Sequence, residues 1–168
     1  MFELLFPKQH LNNIFELDPQ KLKELGIKGI IADMDNTLVP WNDRTVQPRL
    51  AGWLAGLKEK GFQLCIVSNN TADKGGELAR QLDIPAFWYA VKPRRRAFRK
   101  ALREMNLAAE EVAVVGDQIF TDVLGGNRMG LYTILVTPIS DKEFFWTKLM
   151  RQLERLVLNY LKRHNMIH

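Results

Sequence analysis

The chain has little of what would place it outside ordinary globular chemistry. Among its 168 residues there is a single cysteine, Cys65. One thiol excludes an internal disulfide framework and makes a reducing compartment the expected setting. Cys65 lies inside the apolar run Leu64-Cys65-Ile66-Val67 and reads as a small core residue rather than a nucleophile. No stretch approaches the roughly 20 apolar residues needed to span a bilayer. The opening Met1-Phe2-Glu3-Leu4-Leu5-Phe6 is short and lacks the basic flank of a secretory signal. A cytoplasmic protein is expected, soluble or peripheral at the inner face of the membrane. Zinc-ligand spacing and RNA-binding aromatic signatures are also missing, so nucleic acid is not an expected partner. What the chain does have is a net charge of +5, which attracts anionic partners in general without choosing among them.

Short apolar runs alternate with amphipathic ones. Gly29-Ile30-Ile31-Ala32, Leu64-Cys65-Ile66-Val67, Ala86-Phe87-Trp88-Tyr89, Val112-Ala113-Val114-Val115 and Tyr132-Thr133-Ile134-Leu135-Val136 read as strands. Helical spacing predicts helices over Pro48–Lys60, about Asp73–Leu82, Pro93–Met105 and Thr121–Met129, with Thr121 as a cap. This alternation predicts an α/β fold, a three-layer Rossmann-like core with a mostly parallel sheet covered on both faces. A single domain over 1–168 is expected, with an N-terminal extension over 1–26 and a C-terminal amphipathic helix over about 142–163. Ligands in such folds bind beyond the C-terminal ends of the strands.

The polar signatures fall at those ends. Asp33-Met34-Asp35-Asn36-Thr37 follows the first strand. Two carboxylates spaced by one residue point to opposite faces while the chain is extended, but can converge as it turns, offering oxygen ligands to a hard cation such as Mg²⁺. An acidic turn is the plainer alternative. Ser68-Asn69 follows the second strand, Lys92 the third, and Gly116-Asp117 the fourth, with Asp122 close behind. Taken singly, Ser68 could cap a turn and Lys92 could be a surface lysine. Taken together they supply a nucleophile, an acid/base, phosphate ligands and a metal site, which is what phosphoryl transfer needs.

The ordered set Asp33-x-Asp35-x-Thr37, Ser68, Lys92 and Gly116-Asp117…Asp122 resembles the four motifs of the haloacid dehalogenase (HAD) superfamily. That resemblance implies roles. Asp33 would form an aspartyl phosphate, and Asp35 would protonate the leaving group and then deprotonate water. Asp33, the Asp35 carbonyl and Asp117 would hold Mg²⁺. Ser68 and Lys92 would bind phosphoryl oxygens, with Met34, Thr37 and Asn69 beside them. Asp122 would orient Lys92 or a metal-bound water. A carboxylate at Asp35 argues for a phosphatase over a dehalogenase, a transport ATPase, a phospho-acceptor signalling module or a non-catalytic module.

The gaps from Asp33 to Ser68 and from Ser68 to Lys92 leave no room for a cap domain, which matches subclass IIIA. Leu17-Asp18-Pro19, Gly26-Ile27-Lys28-Gly29-Ile30-Ile31, Val91-Lys92-Pro93 and Gly116-Asp117-Gln118-x-x-Thr121-Asp122 resemble the YqeG-type phosphatases, whose relatives include phosphatidylglycerophosphate phosphatases. An anionic phospholipid substrate is therefore expected, with a soluble phosphomonoester (nucleotide, sugar phosphate or phosphoprotein) as the alternative. Two further regions bear on a lipid. Arg94-Arg95-Arg96 crowd a predicted helix N-terminus, where the dipole disfavours cations. The C-terminal stretch sets Phe145, Leu149, Leu153, Leu156, Tyr160 and Leu161 at helical spacing against Lys148, Arg151, Arg155 and Lys162, with Phe144, Phe145 and Trp146 near its start. It reads as a helix packed on the sheet, with membrane contact as the alternative. Phe2, Leu4, Leu5 and Phe6 could pack beneath it. The loop Trp41-Asn42-Asp43 is expected to border the site.

Overall fold

A computed structural model describes residues 2–41, 43, 45–140 and 145–163 of the chain. Its six strands are β1 (Gln9–Leu11), β2 (Gly29–Ala32), β3 (Gln63–Val67), β4 (Ala86–Phe87), β5 (Val112–Gly116) and β6 (Tyr132–Val136). They form one parallel sheet in the order β1-β6-β5-β2-β3-β4. The helices are α1 (Pro19–Glu24), α2 (Pro48–Glu59), α3 (Ala72–Gln81), α4 (Arg95–Met105), α5 (Leu124–Asn127) and α6 (Phe145–Arg163). This is the expected Rossmann-like α/β core.

The continuous apolar strands follow from burial on both faces. Ile30, Leu64, Ile66, Ala113 and Val115 turn to one face, where Leu22 of α1, Leu50, Leu54 and Leu57 of α2, and Leu78 of α3 cover them. Their neighbours Ile31, Cys65, Val67, Val112 and Val114 turn to the other, against Ala97, Phe98, Ala101 and Met105 of α4. Burial pushes the Cys65 thiol up to about 12, with Glu104 adding repulsion, so it is a protonated core side chain at neutral pH.

Sheet order reverses between β2 and β5: from β2 the chain runs outward through β3 and β4, then returns across the sheet to β5 and to β6, which lies beside the edge strand β1. Such a reversal opens a crevice beyond the strand ends, where ligands bind in open α/β sheets. Among the described residues, turns and one isolated bridge, Asp35 with Val39, lie between β2 and α2, and α3 lies between β3 and β4. Neither connection carries a cap domain.

Several expectations need correction. The N-terminal segment is part of the sheet: β1 pairs Gln9–Leu11 with Ile134–Val136 on β6, and α1 is capped by Asp18, which accepts from the Gln20 and Lys21 amides ahead of Pro19. β4 stops at Phe87 because Tyr89 and Val91 both take left-handed backbone, φ +49° and +51°, which no ladder accommodates. Pro93 lies outside α4, which starts at Arg95 after Arg94 adopts extended backbone and donates its amide to the Val91 carbonyl. The predicted helix from Thr121 begins earlier, as a π-helical turn over Ile119–Val123 that runs into α5, so Thr121 is interior and donates to Gln118 Oε1 instead of capping.

For α6, the predicted start at 142–144, Phe144 included, lies outside the described residues, as do the side chains of Phe145, Trp146, Lys148, Leu149, Arg151, Leu161 and Lys162. The helix packs on the body as expected, but through a different face. Glu154 is buried, and Val157 and Leu158 pack with Leu5 against Ile119, Val123 and Leu135, whereas Leu153, Leu156 and Tyr160 are exposed. Glu154 finds partners for its carboxylate there, and that fixes which face turns inward. Among the described residues, no helix is long and apolar enough to cross a membrane.

Candidate active site

Asp33 extends β2 by one more ladder bond, its amide donating to the Val115 carbonyl at 2.9 Å. The chain then turns sharply through Asn36, whose φ of +60° is one that asparagine tolerates. The Asn36 amide donates to the Val39 carbonyl, and the Leu38 amide to the Met34 carbonyl. The Asn36 side-chain oxygen accepts from the Trp41 amide at 3.1 Å and the Ser140 hydroxyl at 2.7 Å, tying this loop to the one after β6. The turn is what lets Asp33 and Asp35 line one cleft, of about 190 Å³, together with Ser68, Asn69, Lys92 and Trp41.

The loop after β3 organises the cleft's other wall. Ser68 Oγ accepts from the Asn70 amide at 3.0 Å, and the Asn70 side-chain amide donates to Asp35 Oδ2 at 3.0 Å. Asn69 Oδ1 accepts from the Lys92 amide at 2.7 Å. Beyond β4, Tyr89 and Val91 face out while Ala90 and Lys92 are buried. Lys92 Nζ sits 2.7 Å from Asp33 Oδ1 and 2.7 Å from Asp122 Oδ1, with all three side chains less than a tenth exposed.

Asp122 reaches that ammonium because nothing stands in its way at Gly116, where a Cβ would lie 2.2 Å from the Asp122 carboxyl carbon. Its second oxygen accepts from the Gln118 amide at 3.2 Å. The turn that carries it is held from outside by α6, since Glu154 Oε1 accepts from the Ile119 amide at 2.7 Å and the Phe120 amide at 3.4 Å. Asp117 is buried, and Thr37 donates to its Oδ1 at 3.4 Å. Carboxylate oxygens of Asp33, Asp117 and Asp122 lie within 4.8 Å of one another.

These charges are unevenly matched. Burial drives the Asp33 carboxyl up to about 6, and the opposing pull of Lys92 is offset in part by repulsion from Asp122. Burial also works against the Lys92 ammonium, but Asp122 and Asp33 outweigh it and hold the lysine protonated. One ammonium among three clustered carboxylates leaves negative charge uncompensated. Hard oxygen donors in that state suit a small divalent cation, so the residues fit the expected Mg²⁺.

The structure thus brings together Asp33, Asp35, Ser68, Asn69, Lys92, Asp117 and Asp122. It does not bring Thr37 or the Met34 side chain to the cleft: Thr37 is buried against Asp117, and Met34 belongs to the apolar core. The Met34 backbone amide instead bonds the Asp33 carboxylate. Trp41 borders the cleft as expected, and Asn42 lies outside the described residues. Sequence reasoning missed Asn70 and Glu154. Adjacency to Ser68-Asn69 could have flagged Asn70, but Glu154 looks like any other charge on an amphipathic helix.

A parallel sheet that reverses its order over two carboxylates, with a serine, a lysine and two more carboxylates from the neighbouring strand ends, is the arrangement that the HAD resemblance implied for a phosphatase. The comparisons agree and are narrower. The model of the family described as mitochondrial PGP phosphatase matches residues 2–140, and the chain belongs to that family. It is 45% identical over 161 residues to "Probable phosphatase YqeG" of Bacillus subtilis (strain 168), covering 96% of this chain and 94% of that one. It is 28% identical over 170 residues to phosphatidylglycerophosphate phosphatase 1, chloroplastic/mitochondrial, of Arabidopsis thaliana, covering 96% of this chain and 48% of that one. The chain therefore spans about half the length of the plant relative. A HAD superfamily (subfamily III A) hydrolase from Legionella pneumophila shares the fold, with a TM-score of 0.52 at 18% identity over 73% of each chain.

Proposed function

We propose that this phosphatase is Mg²⁺-dependent, works through an aspartyl phosphate on Asp33, and acts on phosphatidylglycerophosphate. The observation that carries the mechanism is the buried Lys92 ammonium, 2.7 Å from both Asp33 and Asp122 in a cleft shared with Asp35 and Ser68.

An Asp33 carboxylate oxygen attacks phosphorus as the bond to the ester oxygen breaks. Asp35, steadied by Asn70, gives its proton to that departing oxygen. Asp35 then takes a proton from water, and the resulting hydroxide attacks the same phosphorus, releasing inorganic phosphate and restoring Asp33. Lys92 keeps its charge throughout, pinned by Asp122, and faces the phosphoryl oxygens as charge gathers on them. Ser68 already accepts from the Asn70 amide, so its own hydroxyl hydrogen is disposed to donate to a phosphoryl oxygen. Asp33, Asp117 and the Asp35 carbonyl would hold Mg²⁺, which supplies electrophilic charge against the phosphoryl group.

The lipid substrate is supported by the family match over residues 2–140 and by the plant relative. The absence of a cap between β2 and α2 also leaves the cleft open to a head group too large to be enclosed. The test is Mg²⁺-dependent phosphate release from phosphatidylglycerophosphate in mixed micelles, beside soluble phosphomonoesters, with Asp33→Asn as the blank. Strong preference for the lipid is expected. Preference for a soluble ester would keep the mechanism and remove the lipid.

A further inference from the structure

The segment that delivers Lys92 to the cleft also builds an unusual surface outside it. Tyr89 is 64% exposed and Val91 is 54% exposed. Both have positive φ, +49° and +51°. Left-handed backbone costs a β-branched or aromatic residue on the order of 1–2 kcal/mol. The surrounding bonds enforce it: the Tyr89 amide donates to the Asn70 carbonyl, the Ala90 amide to the Ser68 carbonyl, and the Lys92 amide to the Asn69 side chain. Together they turn Ala90 and Lys92 inward and project an aromatic and a branched apolar side chain into solvent.

Cations surround this pair. From Ile84 to Arg103 the sequence holds Lys92, Arg94, Arg95, Arg96, Arg99, Lys100 and Arg103, and no aspartate or glutamate. All but Lys92 are exposed, and no salt bridge among the described residues engages them. Phe87, Tyr89, Val91, Arg94, Arg96 and Lys100 line a shallow groove of about 310 Å³. A protruding tyrosine and valine ringed by unpaired arginines and a lysine match an interface that is apolar beneath and anionic on top.

We infer that Phe87–Lys100 is the docking surface for an anionic phospholipid bilayer. Tyr89 and Val91 enter between head groups, and Arg94, Arg96 and Lys100 bind lipid phosphates. Because this segment is hydrogen-bonded directly to Ser68, Asn69 and Asn70, docking it would hold the open cleft close to the bilayer, where an uncapped enzyme needs its substrate. Duplex nucleic acid would use the cations but gives no role to the exposed Tyr89 and Val91. The inference deepens the lipid reading of the substrate and rests on it for its purpose, while the binding itself is measured without turnover.

The test is co-sedimentation of full-length Asp33→Asn protein with vesicles of phosphatidylcholine alone, or with about one-third phosphatidylglycerol. Binding only to the anionic vesicles is expected. Tyr89→Ser with Val91→Ser should weaken it roughly tenfold. Arg94→Gln with Arg96→Gln and Lys100→Gln should weaken it about a hundredfold. The same substitutions in the active protein should leave hydrolysis of p-nitrophenyl phosphate within about twofold, since none of the exchanged side chains lines the cleft. Three results would overturn the inference: wild-type-like binding by both sets, loss of binding through Leu156→Ser with Tyr160→Ser on α6 instead, or tighter binding of duplex DNA than of anionic vesicles. If binding behaves as expected but phosphatidylglycerophosphate is not hydrolysed, the substrate reading fails and the docking surface stands.

Discussion

Two neighbouring strands, β2 and β5, carry a lysine–carboxylate pair at each end, and the two ends are opposites. Ahead of the strands, Lys28 Nζ lies 2.6 Å from Glu111, with side chains 64% and 27% exposed. Beyond them, Lys92 Nζ lies 2.7 Å from Asp33 and Asp122, with side chains 3%, 9% and 2% exposed. The distances are nearly the same and the energetics are not. Water screens the first pair and takes back most of its attraction. At the second, desolvation penalises every charge, and the fold tolerates it only because the partners are fixed by further hydrogen bonds. An arrangement that costs stability and is nevertheless built from three separate strand ends belongs to chemistry.

Removing the ammonium should break this contrast most sharply. Lys92→Met should lower kcat by about a thousandfold or more, the scale of losing a main electrostatic contact to the transition state. It should also destabilise the metal-free protein by about 3 kcal/mol, because buried carboxylates lose their cation. Steady-state kinetics and urea unfolding in EDTA measure the two effects separately.

A smaller effect appears with pH. The Asp33 carboxyl stands at about 6 in the fold against an ordinary 3.8. A raised value means that the protonated form is favoured in the folded state. Stability from it is full below about pH 4 and lost as pH rises towards 6. In EDTA, wild type should therefore lose about 2–3 kcal/mol relative to Asp33→Asn between pH 4 and 7. A pH-independent difference between the two melting curves would remove the claim that this carboxylate is held against its preference.

Glu154 sharpens the comparison from outside the motifs. Glu154→Ala would leave the buried Ile119 amide without its 2.7 Å partner, at a cost of about 1–2 kcal/mol. It should also lower kcat through Asp122 and Lys92, with Glu154→Gln recovering much of both. At the far end, Lys28→Met should leave activity unchanged and the melting midpoint within measurement error, despite breaking the shorter ion pair.

The site was more legible in the sequence than its supports were. Strands buried on both faces must be short apolar runs, so β2, β3, β5 and β6 announced themselves, and each change to polar residues marked a strand end where ligands bind. That placed Asp33, Ser68, Lys92 and Asp117 before any coordinates. β1 gave no such sign, because a three-residue edge strand, Gln9-His10-Leu11, has too few residues for a period. The early end of β4 was hidden because Trp88 and Tyr89 favour strands, and only the loop's hydrogen bonds to Asn70 and Ser68 overrule them. That Thr37 lies buried against Asp117 was not legible, because spacing says which residues follow a strand but not which way a turn at Asn36 sends them. The inward face of α6 was concealed by a glutamate standing where an apolar residue would be expected.

The proposed mechanism stands or falls on phosphorylation of the buried Asp33, with Lys92 there to let it. Its most direct test is to mix the enzyme and Mg²⁺ with radiolabelled phosphomonoester, quench in acid within milliseconds, and map the label by peptide analysis. The prediction is an acid-stable, hydroxylamine-labile phosphate on Asp33, absent from Asp33→Asn and longer-lived in Asp35→Asn. Turnover at the full wild-type rate by Asp33→Asn, or label recovered on another side chain, would contradict it.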